Sequence, residues 1–253
     1  TTNVAPTSAT FLDNTNSVTI TNSTATVSGL QSGTQYYVWI RSNCSSTDFS
    51  SFIYVSPAIT SCVPISNMYE GFETTASGSV VPICWARIVA ATSAGSQTIS
   101  ATAPATGVRN VYQYCATAST PVIVVFPEFS NINAGTHQLR FKLKVSAAPG
   151  TMNIGYVTNP ADASTFVLLT ALAVTNTVYT VAGAEYIVTV PNTVPANARI
   201  DFKNSNDGKS YYWDDVYWEP IPNCFPPTAI TVGSLTATSA ELSWTNPSGG
   251  LPS

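Results

Sequence analysis

Few side chains in this sequence of 253 residues can do chemistry: 13 Asp and Glu, 9 Lys and Arg, and a single histidine. The acids that draw attention fall in two short runs, Glu70 with Glu73 and Asp214 with Asp215. Paired carboxylates have two uses. They act as acid and base or nucleophile on a glycosidic bond, or they give hard oxygen ligands to a cation such as Ca2+. His137 has no Ser or Cys neighbour to activate, and neither G-x-S-x-G nor H-E-x-x-H occurs, so it is expected to open a strand. The cysteines at 44, 62, 84, 115 and 224 form no C-x-x-C and no Cys/His spacing that suits zinc. Scattered through a Thr-rich chain, they predict disulfides and an oxidising compartment. Pairing each with a neighbour in the same block predicts Cys44–Cys62 and Cys84–Cys115, each closing a loop worth roughly 3 kcal/mol. The odd count leaves one thiol unpaired or paired elsewhere.

Aromatic rings are the other resource. Tyr112, Tyr114, Tyr212 and Trp213, with Tyr211, Tyr217 and Trp218 nearby, offer flat faces on which sugar rings stack. The competing role is packing, because each ring buries a large apolar area. Trp39, Trp85 and Trp244 are expected in cores. The row Arg140, Lys142, Lys144 either meets an acidic glycan or is a solvated face that guards a sheet edge.

The elements that position these groups are strands. In residues 137–145, Leu139, Phe141, Leu143 and Val145 alternate with Gln138, Arg140, Lys142 and Lys144, a period of two with one dry and one wet face. Further strands are expected at 17–20, 25–27, 36–40, 52–55, 152–157, 165–169, 186–190, 198–202 and 211–218, with turns at Pro149-Gly150, Asn159-Pro160 and 206–208. Alternation puts Asp214 on one face with Val216 and Trp218, and Asp215 on the other. No segment keeps a helical period, so the fold class is all-β, a sandwich.

Composition excludes several functions. A net charge of −4 without basic clusters argues against nucleic acid. No apolar run approaches the roughly 20 residues that span a bilayer. Only 9 % of residues are charged, with Thr and Ser lining the polar faces, which suits a secreted β-protein. Two joints, 60–64 and 222–226, each place a Cys before a Pro between strand-rich blocks. They divide the chain into 1–62, 63–222 and 223–253.

Residues 29–44 resemble the closing strands, and residues 226–244 the opening strands, of a fibronectin type III (Ig-like) sandwich. The block 63–222 resembles the jelly-roll family of MAM and cleaved-adhesin domains and their carbohydrate-binding-module relatives. The resemblance rests on five elements in family order: Tyr69-Glu-Gly-Phe-Glu73, Pro82-Ile-Cys-Trp85, Gly135-Thr-His-Gln-Leu-Arg-Phe141, Asn153-Ile-Gly-Tyr-Val157 and Trp213-Asp-Asp-Val-Tyr217. It implies a Ca2+ held by Glu73 and Asp214 with backbone carbonyls, Asp215 and Glu70 standing behind them. It also implies a non-catalytic segment of a large secreted cell-surface adhesin of the gliding type, exported by the type IX route. The expected partners are a surface polysaccharide or glycan and neighbouring repeats of the same chain, with each partial fibronectin segment completed by the next copy. The alternatives are a carbohydrate-binding accessory region of a secreted glycoside hydrolase or protease, and a passive stalk spacer.

Overall fold

The computed structural model describes residues 19–90, 94–116, 121–181, 183–222 and 227–245. Two antiparallel sheets packed face to face make a jelly-roll sandwich of the central block. One sheet runs β10 (Val167–Val174), β9 (Gly150–Val157), β12 (Arg199–Asn204), β7 (Val122–Val125) and β4 (Ala86–Val89). The six-stranded sheet runs β11 (Glu185–Thr189), β8 (His137–Val145), β13 (Ser210–Pro220), β6 (Asn110–Cys115) and β5 (Gly95–Ser100), with β3 (Met68–Glu70) also paired to β13. Two hairpins stand outside this sandwich: β1 (Gln35–Ile40) with β2 (Ile53–Ile59), and β14 (Thr228–Leu235) with β15 (Ala240–Thr245).

The alternation in β8 does what it predicts. Leu139, Phe141, Leu143 and Val145 are buried between the sheets, against Ile200 and Phe202 of β12 and Met152 and Ile154 of β9. Burying each such side chain contributes about 1.5–3 kcal/mol. At the centre Trp213 meets Phe72, Trp85, Phe126 and Phe202, with ring centroids 5.4, 6.3, 6.0 and 4.8 Å away. Its indole N–H is satisfied by Gln113 Oε1 at 2.6 Å.

Several expectations need correction. The stretch 25–27 is not a strand, and of 17–20 the described residues 19 and 20 are irregular. β10 begins at Val167 because Ala163–Thr165 form a 3-10 turn, started by Asp162, whose side chain accepts from Ser164 N. The alternation of β13 also breaks. Asp214 pairs with Lys142 and Tyr217 with Arg140, so one extra residue is accommodated, and Asp215 takes a positive φ of 49°. Tyr211 and Trp213 point inward before this bulge, Val216 and Trp218 after it. Asp214 therefore lies opposite the core, across from Lys142, and does not share a face with Val216 and Trp218.

The cysteine pairing is likewise different. Cys62 bonds Cys84, with Cα atoms 5.7 Å apart, so neither Cys44–Cys62 nor Cys84–Cys115 exists. The turn before β4 aims Cys84 back at the joint, where Gly33 packs against both sulfurs. Cys115 is sealed at the far end of β6, its thiol donating to Asn206 Oδ1 at 3.0 Å. Cys44 is exposed in the β1–β2 connection, and Cys224 lies outside the described residues. Trp85 packs on the core as expected, whereas Trp244 is exposed and Trp39 half-exposed.

Candidate functional site

The outer face of the six-stranded sheet gathers most of the polar chemistry. The 101–109 loop crosses this face and three carboxylates hold it. Asp214 Oδ2 accepts from Ala105 N (2.8 Å) and Thr106 N (3.3 Å), and Oδ1 accepts from Asp215 N (2.8 Å). Glu73 Oε1 accepts from Val108 N (3.0 Å) and Arg109 N (3.1 Å), with Oε2 also 3.1 Å from Val108 N. Between these grips sits Gly107 at φ 59°, where a Cβ would lie 2.2 Å from Glu73 Oε1. Asp215 takes the Thr106 hydroxyl (2.6 Å), the Tyr69 hydroxyl (3.1 Å) and the Lys142 ammonium (2.9 Å).

The two neighbouring aspartates titrate in opposite directions. Burial pushes the Asp214 carboxyl up to about 6, its peptide N–H partners offsetting only part of the desolvation. Burial also raises Asp215, but Thr106, Lys142 and Tyr69 outweigh it and hold the group below the usual carboxylate range. Burial, and then Asp215, push the Tyr69 phenol up to about 12.

Around this clamp runs a band of tyrosines and cations. Tyr69 and Tyr217 lie with ring centroids 4.7 Å apart, and the Arg140 guanidinium sits 3.9 Å above Tyr217. Arg140 is held by Glu219 (2.8 Å) and Glu185 (3.2 Å), and its hydrogen bond keeps Glu219 below the usual carboxylate range. Further along, Tyr112 and Tyr212 are 5.4 Å apart, and Lys144 Nζ lies 5.1 Å from the Tyr212 ring and 4.8 Å from Tyr179. Tyr112, Tyr114 and Tyr212 are half-exposed on this face.

Of the four aromatic candidates, three thus share the outer face, while Trp213 is fully buried and presents no surface to a ligand. Tyr211 is buried as well, its hydroxyl bonded to Asp207 and Thr151 N. Trp218 stacks between Phe129 (4.6 Å) and His137 (5.2 Å), which opens β8 as expected. Tyr69, Tyr179 and Thr106 belong to the face but escape sequence reasoning. Only the bulge and the returning loop bring them there. Glu70 is apart from the clamp. It accepts from Phe72 N at 2.5 Å, burial raises its pKa, and it is the one charged group in an apolar cleft of about 270 Å3 beside the disulfide. Among its lining residues Ser32 gives the one hydroxyl, and no second acid and no histidine accompany Glu70.

No protein-family model matches the chain, and no curated protein matches it. Solved structures do. The K2 cleaved adhesin domain of Lys-gingipain is 15% identical, covering 61% of this chain and 99% of its own, with a TM-score of 0.45. The K1 domain of Lys-gingipain from Porphyromonas gingivalis is 17% identical, covering 62% and 99%, with a TM-score of 0.46. A xylan-binding module of family 22 from Paenibacillus barcinonensis is 10% identical, covering 63% and 98%, with a TM-score of 0.40.

Proposed function

We propose that this chain is a non-catalytic segment of a secreted surface adhesin, and that its central sandwich binds polysaccharide across the outer face of the six-stranded sheet. The observation that carries this reading is the pair of tyrosine platforms, Tyr69/Tyr217 and Tyr112/Tyr212, on one face with cations beside them. Because of the bulge, Tyr212 and Tyr217 stand opposite Lys144 and Arg140, four steps apart on β8 and about 13 Å at ~3.3 Å per residue. That length suits an oligosaccharide rather than a single sugar. Tyrosine faces stack on apolar sugar faces, and the Arg140–Glu219 pair beside the Tyr69/Tyr217 platform gives donors and acceptors for hydroxyls. Catalysis fits this site poorly. Asp214 and Glu73 are turned to the peptide N–H groups of the 101–109 loop, and Asp215 is held by Thr106, Tyr69 and Lys142, which leaves no poised acid–base pair.

A structural cation belongs to the same proposal. Counting four acceptor sites per carboxylate, the N–H groups leave one open on Asp214 Oδ1 and one on Glu73 Oε2. Both acids grip one loop, and a buried carboxylate whose charged form is disfavoured suits a cation. Among the described residues no three Asp, Glu, His or Cys side chains gather as a metal cluster, so the other ligands to Ca2+ would be carbonyls. Glu73 and Asp214 would hold the ion and it would pin the 101–109 loop; Asp215 and Glu70 are committed elsewhere. We read the flanking hairpins as partial fibronectin type III segments at 1–62 and 223–253 and, from the motif order, the parent as a gliding-type adhesin exported by the type IX route. Affinity electrophoresis against a panel of soluble polysaccharides tests the binding. Retardation that Tyr217→Ala abolishes supports the reading, and no retardation by any polysaccharide removes it.

A further inference from the structure

The outer face of the five-stranded sheet, on the far side of the sandwich from the tyrosine band, holds a group that polysaccharide binding does not use. Ile200 and Phe202 of β12 point into the core, so Asp201 and Lys203 face outward. Asp201 is nevertheless fully buried, and among the described residues neither of its carboxylate oxygens has a hydrogen-bond partner. A buried polar group without a partner calls for an explanation. Its cross-strand neighbours are Val125 of β7 and Gly155 of β9, beside the apolar cluster of Ile123, Val125 and Val157. Phe166 covers this spot, since a Cβ on Gly155 would lie 2.5 Å from its ring. Burial holds the Asp201 carboxyl well above the usual carboxylate range, with Lys203 opposing the shift, so the neutral acid is favoured.

Lys203 is directly paired with Asn153 of β9, itself half-buried. Residues paired in this way point to one side, with Cβ atoms about 4.5–5.5 Å apart. Among the described residues Lys203 joins no ion pair; its ammonium lies 4.3 Å from the centre of the Phe166 ring. That ring also covers Gly155, so the lysine reaches back toward the Asp201–Gly155 pair. An amine, a carboxamide and a buried acid are thus neighbours on two adjacent strands: nucleophile, electrophile and acid–base group. We propose that Lys203 and Asn153 join in an intramolecular amide, with Asp201 moving the protons, so that β9 and β12 become covalently linked. The step balances within the chain. As the face closes on folding, the Asp201 carboxylate takes a proton from the Lys203 ammonium and frees the amine. The acid then donates a hydrogen bond to Asn153 Oδ1 while Lys203 Nζ attacks Cγ. Asp201 relays a proton from Nζ to Nδ2, the Cγ–Nδ2 bond breaks, and ammonia leaves. Asp201 ends protonated, and the new amide carbonyl gives it the partner it lacks. Holding amine and amide at paired positions makes the attack effectively unimolecular.

Intact-mass measurement of the folded full chain tests this without reference to any sugar. After reduction of its disulfide, the wild type is expected to be lighter than its sequence by one ammonia. Tryptic digestion should leave Lys203 uncleaved, on a branched peptide that carries Asn153. Lys203→Arg, Asn153→Ala and Asp201→Asn should each show the full sequence mass and no branch. Asp201→Asn keeps the shape of the buried group while removing its proton, and a wild-type circular dichroism spectrum shows that this variant folds. The wild-type result stands even where a variant does not fold. A wild type of full mass, a loss of ammonia without the Lys203–Asn153 branch, or a folded Asp201→Asn that links as completely as the wild type would each overturn the proposal.

Discussion

Asp214→Asn should change how stability depends on pH, and the size follows from the site. Asp214 is fully buried, and its carboxyl is pushed from 3.8 to about 6. The folded state therefore binds the proton more tightly than the unfolded chain does. Stability from this group is greatest below pH 3.8, declines as pH rises through 4 to 6, and is flat above about 7. Two units at 1.36 kcal/mol each make the decline roughly 3 kcal/mol. Asparagine does not titrate. It keeps one oxygen for Ala105 N and Thr106 N but turns an amide N–H toward Asp215 N, losing about 1 kcal/mol. Wild type should thus exceed the variant in acid and fall below it near pH 7.5, when both are unfolded by urea in the presence of chelator. Asp215, held low by hydrogen bonds from Thr106, Lys142 and Tyr69, and Glu219, held low by the one from Arg140, contribute the opposite slope but do so in both proteins. Added Ca2+ at pH 7.5 should reverse the order, because a bound cation favours the carboxylate and stabilises only the protein that binds it. A stability difference that stays constant from pH 3.5 to 7.5 in chelator would refute the buried-charge argument.

Other outcomes follow from the same structure. Cys62→Ala should lower stability by about 3 kcal/mol in non-reducing urea titrations, since the bond closes a 22-residue separation, and dithiothreitol should reproduce the loss in wild type. Peptide mapping without reduction should recover Cys62 linked to Cys84. Gly107→Ala should cost about 1–3 kcal/mol through its positive φ and should speed amide exchange at Val108 and Arg109, the donors to Glu73. Trp213→Ala should cost about 3–5 kcal/mol in thermal or urea unfolding, as a cavity would open among four aromatic rings.

What the sequence makes legible is what repeats locally. The alternation from Leu139 to Val145 is read directly, and so are β1, β11 and β12 to within about two residues. The bulge at Asp215 is not legible, because an added residue is paid for by the loop that returns over it, and Thr106 lies 109 positions away. That one residue decides the site: it turns both aspartates to the outer face and leaves Trp213 inside. The disulfide fails for a related reason. Locality favours partners within one block, but the turn before β4 aims Cys84 across the joint, toward Cys62. Trp244, expected in a core, is exposed, because a large aromatic in a strand does not say whether a second sheet covers it.

Isothermal titration of the chain with a polysaccharide selected by affinity electrophoresis, compared with Tyr217→Ala and Tyr212→Ala, bears most directly on the central claim. The account predicts saturable binding that weakens at least tenfold in each variant while unfolding midpoints stay near wild type, with amide shifts along β13 and β8. Binding that survives both substitutions, or shifts confined to the opposite sheet, would contradict it.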